Sequence, residues 1–296
     1  MRLPSRFPYR AATWPGGVAR PPVKRRTGMA FETEWARRYP VRLARALVLD
    51  GVTRPAVRAL ASPELAGLDR IEGLEAPAIF TANHASHVDT ALLLASLPSR
   101  FRHRTIVAAA ADYFFDTRAK GAAFAFVLNA IPIERTKVSR RAADSAAELI
   151  ADGWSVIIYP EGGRSPDGWA QPFRGGAAYL SLRCGAPVVP VHIEGTRRIL
   201  RRGAKTLKPS TTTVTFGTPL RPTADEDARR FTSRIEAAVS MLADEQGTDW
   251  WTARRRAAAG TTPSMTGPPA GAWRRTWALG ENRRRPGPSE SRWPKL

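Results

Sequence analysis

Short apolar runs alternate with helical stretches through this chain, and that alternation constrains its fold more than any other feature. Six apolar runs are predicted to be strands, at residues 78–82, 105–109, 130–134, 155–159, 188–193 and 212–216. Six stretches are predicted to be helices, at residues 34–49, 90–97, 112–128, 140–151, 176–183 and 225–244. The pattern predicts an α/β fold in which helices cover the faces of a sheet.

The net charge of +20 is concentrated at the two ends of the chain. Residues 1–28 and 249–296 each contribute +7, and neither segment has a sustained apolar period. We therefore predict a disordered basic arm at 1–28, a folded domain at 29–248 and a disordered basic tail at 249–296. The tail also holds five tryptophans, and this combination suits an anionic membrane surface. A disordered tail with no partner is the alternative.

Residues 35–60 combine apolar side chains with six arginines on one helical stretch. Such a composition predicts a helix that lies in a membrane interface. The alternative is a surface helix that packs on its own domain and keeps its arginines in water.

The composition excludes several classes of protein. Cys184 is the single cysteine, so an intramolecular disulfide is impossible, and no Cys/His spacing suggests zinc. We expect no metal and no cofactor. The longest weakly polar run, 121–133, is shorter than the ~20 residues that span a bilayer. The N-terminus has no apolar run typical of a secretory signal, so we expect a cytoplasmic protein that binds membranes peripherally.

The sharpest local pattern is NHASHVD at 83–89, directly after a predicted strand. It would place His84 at the carboxyl edge of the sheet, where open α/β folds hold their sites. A carboxylate on one imidazole nitrogen fixes the tautomer and lets the other nitrogen accept a proton, so His84 and Asp89 are a candidate catalytic dyad. Residues five apart do not share one helix face, so the turn must bend for Asp89 to reach back. Alternatively, Ser86 and Asp89 form a capping box without catalytic meaning.

A second segment, PEGGRS at 160–165, follows the predicted strand 155–159. It joins the Glu161 carboxylate, two glycines that let backbone amides approach an anion, and the Arg164 guanidinium, which matches phosphate. A glycine pair after a strand is most often only a turn. Taken with His84, however, the two strand ends offer a base and an anion site.

Together these segments resemble the glycerophosphate acyltransferase family, of the 1-acylglycerol-3-phosphate O-acyltransferase type. NHASHVD is similar to the HxxxxD motif of that family, and YPEGGRS at 159–165 to its FPEGTRS block. IPIER at 131–135 and VVPVHI at 188–193 are similar to two further blocks, in the family's order. The resemblance covers about residues 75–195 and implies a mixed twisted sheet flanked by helices. The N-terminal helical segment expected at the membrane interface is the one predicted above from the composition of residues 35–60.

The resemblance also implies roles for individual residues. His84 would be the general base for the acceptor hydroxyl, oriented by Asp89, and the freed oxygen would attack the thioester of acyl-CoA or acyl carrier protein. The acceptor site would be formed by Arg135, Glu161, Gly162 and Arg164. The expected activity is acyl transfer to a lysophosphatidic-acid-like acceptor in phospholipid biosynthesis, at an anionic membrane surface.

Three alternatives stay open. Gly163 stands where the family usually has threonine, so the acceptor could be another lysophospholipid or a glycolipid. A nucleic-acid-binding protein could use the basic ends, but no nucleic-acid-reading motif occurs and we expect no such partner. A scaffold that has lost turnover is the third alternative, and the intact pair of His84 and Asp89 argues against it.

Overall fold

The computed structural model describes residues 28–134, 140–201, 203–204 and 206–267. Its centre is a seven-stranded sheet with the strand order β1-β7-β6-β2-β5-β3-β4. The strands are β1 (Pro63–Ala66), β2 (Ile79–Ala82), β3 (Thr105–Ala110), β4 (Ala130–Ile133), β5 (Ser155–Ile158), β6 (Val188–Glu194) and β7 (Thr212–Phe216). Among these, β6 and β7 pair antiparallel and the other neighbours pair in parallel. The sheet is therefore mixed, which confirms the expected fold class.

Helices cover both faces of this sheet. They are α1 (Tyr39–Val48), α2 (Arg54–Ala61), α3 (Val88–Ser96), α4 (Ser99–Arg102), α5 (Ala111–Phe114), α6 (Arg118–Leu128), α7 (Arg140–Ala151), α8 (Gly176–Cys184), α9 (Thr196–Ile199), α10 (Ala228–Gly247) and α11 (Trp250–Ala258). Successive residues of β2 enter different cores, because Phe80 packs with α2 and α3 whereas Ile79 packs with α7, α8 and α10. Both faces of β2 and β5 are thus buried, which explains their continuous apolar runs.

All six predicted strands are present, and one further strand was missed. Strand β1 pairs with β7 at the edge of the sheet, and most of its side chains are exposed. It therefore lacks the apolar pattern that marks the other strands. The predicted helix 112–128 is two helices, α5 and α6, and the Thr117 side chain caps the second by accepting a hydrogen bond from Lys120 N.

Residues 35–60 form a helical segment with one packed and one open face. A short 3₁₀ turn leads into α1, and the π-helical turn Leu49–Thr53 joins α1 to α2. Leu49 and Val57 are buried in the core beside α3. The opposite side carries four large apolar side chains that are 52% to 75% exposed, and we call it the apolar ridge: Tyr39, Leu43, Leu47 and Val52.

Helix α11 lies inside the segment that was expected to be disordered, so that prediction is wrong for Trp250–Ala258. Asp249 Oδ1 caps the helix by accepting from Thr252 N at 2.9 Å. Ala253 is fully buried, and Arg256 Nη1 pairs with Asp244 Oδ1 of α10 at 2.7 Å. The arm before residue 28 and the tail after residue 267 lie outside the described residues. No helix among the described residues is both long and apolar enough to cross a bilayer.

Candidate active site

The two predicted strand-end segments meet at one edge of the sheet. Strands β2 and β5 are parallel neighbours, so the loops that follow them leave the sheet side by side. Two backbone contacts join these loops across a large sequence separation. The His84 backbone N–H donates to Glu161 Oε1 at 2.7 Å, and Ser165 N donates to the His84 carbonyl at 2.7 Å. Both backbone polar groups of His84 are thereby held by the second loop.

The turn after β2 bends as the candidate dyad requires. His84 Nδ1 lies 2.8 Å from Asp89 Oδ2, and the same oxygen accepts the backbone N–H groups of Ala85 at 2.7 Å and Ser86 at 2.8 Å. Asp89 is fully buried in the first turn of α3, where the helix dipole favours a negative charge. One carboxylate therefore orients the imidazole and also closes the helix start. Only half of a capping box is present, because Asp89 Oδ2 accepts from Ser86 N but the Ser86 hydroxyl accepts from Val88 N rather than from Asp89 N.

Tyr159 fixes the imidazole from a second direction. Its ring stacks on the His84 ring with the centroids 4.1 Å apart and the planes 21° from parallel. Tyr159 is partly buried, and desolvation raises the pKa of its hydroxyl well above the usual range, with the charge of Asp89 adding to the effect. Since Asp89 holds Nδ1 and Tyr159 covers one ring face, Nε2 is the nitrogen left for a ligand. The His84 side chain is 12% exposed.

Glu161 holds the backbone of the site through hydrogen bonds from two amide groups. Its side chain is 1% exposed, and while Oε1 accepts from His84 N, Oε2 accepts from Gln171 N at 2.8 Å. The carboxylate thus links three points of the chain: the turn after β2, the end of β5 and the loop before α8. That Glu161 belongs to the acceptor site, where it would orient neighbouring groups rather than touch the phosphate, stays a prediction from the family resemblance.

The neighbouring glycines differ in what they require. Gly162 has a φ of +70°, and a Cβ atom built on it would lie 2.9 Å from the Arg174 guanidinium carbon, so a side chain there would be strained. At Gly163 the nearest atom to such a Cβ is Gln171 Nε2, at 4.0 Å. The missing threonine at Gly163 therefore leaves open space, while Gly162 is needed for the backbone itself.

Of the two arginines expected to bind phosphate, the structure describes Arg164. Arg164 is partly buried in the loop after β5, and its positive charge reaches the neighbouring turn. The pKa of His87 in that turn is lowered to about 4. Burial is the main cause, followed by the positive charges of Arg164 and His84. His87 is thus neutral at neutral pH and donates to or accepts from the Tyr113 hydroxyl at 3.1 Å. Arg135 lies outside the described residues.

Besides Tyr159, three residues that hold the site together were given no role by the sequence. The Asn83 side-chain amide donates to the Ile193 carbonyl and accepts from the Ile193 N–H on β6, each at 2.8 Å. The other two are Ser165 and Gln171, whose backbone amides join the two loops as described above. Asn83 stands directly before His84, and its position in the motif was the available signal. The described residues contain no group of His, Cys, Asp and Glu suited to a metal ion.

Parts of this chain are similar to known proteins. A family model described as Acyltransferase matches residues 62–194. A chloroplastic 1-acyl-sn-glycerol-3-phosphate acyltransferase of Brassica napus is 30% identical over 146 residues, which cover 48% of this chain and 40% of that protein. A chloroplastic enzyme of the same description from Arabidopsis thaliana is 30% identical over 142 residues, covering 47% and 38%. The chain thus spans less than half the length of these relatives.

A solved structure shares the fold. The crystal structure of the 1-acyl-sn-glycerophosphate (LPA) acyltransferase PlsC from Thermotoga maritima matches with a TM-score of 0.56 and 23% identity, covering 74% of this chain and 88% of that one. The matched family segment begins at the start of β1 and ends with β6, so it contains His84, Asp89 and the loop after β5. Over residues 62–194, this chain is therefore similar to proteins described as acyltransferases.

Proposed function

We propose that this chain transfers an acyl group from a thioester, acyl-CoA or acyl carrier protein, to the free hydroxyl of a lysophosphatidic-acid-like acceptor in phospholipid biosynthesis. The observation that carries the proposal is the His84 imidazole held by Asp89 at 2.8 Å, with Nε2 directed away from that contact. The names of the relatives support the choice of acceptor.

The chemistry follows from the tautomer of His84. With Nδ1–H donating to the buried Asp89 carboxylate, Nε2 carries a lone pair that can accept the hydroxyl proton of the acceptor. The acceptor oxygen then forms a bond to the thioester carbonyl carbon, and the tetrahedral intermediate collapses by breaking the carbon–sulfur bond. The imidazolium that forms is stabilised by Asp89 and returns its proton to the departing thiolate. No covalent acyl-enzyme is needed.

The loop after β5 would bind the acceptor phosphate. Arg164 supplies a guanidinium beside the His84 turn, and Gly162 keeps side-chain atoms away from the backbone there. Guanidinium groups pair with phosphate through two parallel hydrogen bonds, which orients as well as binds. Arg135 is proposed for the same role on the family resemblance. Glu161 would serve by holding His84 in place.

The decisive experiment is the His84→Ala variant in an acyl-transfer assay with labelled palmitoyl-CoA and lysophosphatidic acid. Loss of a positioned general base should lower turnover by at least ~10²-fold. His103→Ala is the matched control, since this partly exposed histidine lies after α4, outside the two loops, and should retain activity. Wild-type turnover by a folded His84→Ala variant would disprove the proposed role.

We further propose that the protein is cytoplasmic and binds anionic membranes peripherally. The apolar ridge supports this proposal, because four large apolar side chains on successive turns are unusual on a surface that meets only water. The basic tail would add attraction that weakens with salt.

The membrane proposal is tested by sedimentation with anionic vesicles. Leu47→Gln should lower the bound fraction, because it removes apolar area from the ridge. Leu182→Gln is the control, since this leucine is exposed on α8, a helix that does not carry the ridge. Deletion of residues 268–296 should also lower binding at low salt while activity on detergent-dispersed acceptor survives. Equal binding by all variants would contradict the proposal.

A further inference from the structure

A groove of about 600 Å³ lies beside α3, separate from the catalytic loops. One side of the groove is apolar and is lined by Val57, Leu65, Leu68, Ala95, Leu97 and Pro98. It reaches Ser96 at the end of α3, whereas Asp89 lies in the first turn of that helix. Seven residues separate these two positions, which is about 10 Å along the helix axis. The volume lies in the range of ligand pockets.

Three arginines line the same groove, and one carboxylate faces them. Arg54, Arg58 and Arg102 are part of its lining. Arg54 Nη1 and Arg102 Nη1 share a single oxygen, Asp50 Oδ1, at 3.2 Å and 2.9 Å. The other oxygen of Asp50 lies 3.2 Å from His103 Nε2. The groove therefore has more guanidinium groups than acids to neutralise them.

The arginines are close enough to repel one another. Burial lowers the pKa of Arg102, and the charge of Arg54 lowers it further, against the opposing effect of Asp50. In addition, Arg54 Nε is buried without a hydrogen-bond partner. A buried donor without an acceptor is unfavourable, and so is crowding of like charges. An anion in the groove would relieve the crowding of like charges, whereas Arg54 Nε is closed off from the groove.

The position of the groove indicates where such an anion comes from. Arg54 and Arg58 lie one turn apart on α2, and Arg54 follows Val52 of the apolar ridge by two residues. Arg58 is exposed. The same helical segment thus carries apolar side chains suited to a bilayer and two of the three cations of the groove. A lipid of that bilayer would present a phosphate to the arginines and an acyl chain to the apolar wall.

We propose that this groove binds an anionic phospholipid of the membrane, with its phosphate at Arg54, Arg58 and Arg102 and the start of one acyl chain on the apolar wall. Guanidinium groups match phosphate in geometry and charge, and the apolar wall distinguishes a lipid from free phosphate. The site requires neither His84 nor a thioester, so it is independent of the proposed acyl transfer.

The test is titration calorimetry of the full chain with dihexanoylphosphatidylglycerol, a short-chain anionic phospholipid. Arg58→Gln should weaken binding about tenfold, as expected for losing one hydrogen-bonded charge contact. Arg38→Gln is the matched control, because this exposed arginine precedes α1 on the same segment and does not line the groove. Dihexanoylphosphatidylcholine and inorganic phosphate should both bind more weakly, the first for lack of net charge and the second for lack of a chain.

Three results would overturn the proposal: equal affinity of the Arg58→Gln variant and the unchanged protein, an equal loss in Arg38→Gln, or inorganic phosphate binding as tightly as the lipid. The second result would mean diffuse charge attraction, and the third a simple anion site. Acyl transfer is measured separately, on detergent-dispersed acceptor. There Arg58→Gln should match the unchanged protein, while His84→Ala should lose transfer and keep lipid binding.

Discussion

Replacing Glu161 by glutamine tests whether this residue holds the site or contacts the acceptor. Each Glu161 oxygen accepts one backbone amide, from His84 at 2.7 Å and from Gln171 at 2.8 Å, in a side chain that is 1% exposed. A glutamine keeps one acceptor and replaces the other with an amide donor. One buried backbone N–H would then face another donor, whichever way the glutamine is turned.

The magnitude follows from the hydrogen bond that is lost. A hydrogen bond to a charged group contributes about 1.5 to 3 kcal/mol, and the orphaned donor adds to the cost. We therefore expect the free energy of unfolding to fall by about 2 to 4 kcal/mol. Because Glu161 fixes the His84 backbone, its loss should displace the imidazole and lower kcat by about 10- to 100-fold. That range corresponds to about 1.4 to 2.8 kcal/mol of added activation free energy, since each 1.4 kcal/mol is a factor of ten in rate. The acceptor KM should change little.

Urea unfolding and steady-state kinetics measure these quantities together. Glu64→Gln is the matched control, because that glutamate is exposed on the edge strand β1 and its replacement should cost less than about 0.5 kcal/mol. The reasoning fails if Glu161→Gln leaves unfolding unchanged and raises the acceptor KM. That outcome would place Glu161 against the acceptor.

Four further predictions concern the same site. Arg164→Ala should raise KM for a phosphorylated acceptor more than KM for acyl-CoA, and an unphosphorylated acceptor should not respond. Gly163→Thr should unfold at nearly the same urea concentration as the unchanged protein, since the nearest atom to its Cβ is 4.0 Å away. Tyr159→Phe should retain most of kcat and Tyr159→Leu should lose it, because the ring positions His84. His87 has a folded pKa of about 4 against ~6.5 when unfolded, so stability should fall as the pH drops from ~6.5 to 4, and His87→Gln should reduce that slope in urea titrations.

The sequence by itself determined the features that depend on neighbours along the chain. Buried strands such as β2 and β5 show as continuous apolar runs because both of their faces are covered. The dyad could be predicted from the sequence because its two residues are neighbours along the chain. Asp89 reaches His84 across a single turn, five residues away. Even α11 had a local signal, in Asp249 before a short helical stretch, but the basic composition of the tail obscured it.

Only the tertiary structure decided what depends on strand order. Pairing of β2 with β5 brings Glu161 to the His84 backbone and the Tyr159 ring onto the imidazole across more than 70 residues. No periodicity in the sequence encodes which strands are neighbours, so an orienting role for Glu161 could be expected but its partners, the backbone amides of His84 and Gln171, could not. Strand β1 was missed because an exposed edge strand is defined by its backbone hydrogen bonds to β7 rather than by apolar side chains. The groove lined by Arg54, Arg58 and Arg102 also could not be predicted from the sequence, because it forms where α2 packs against the end of α3.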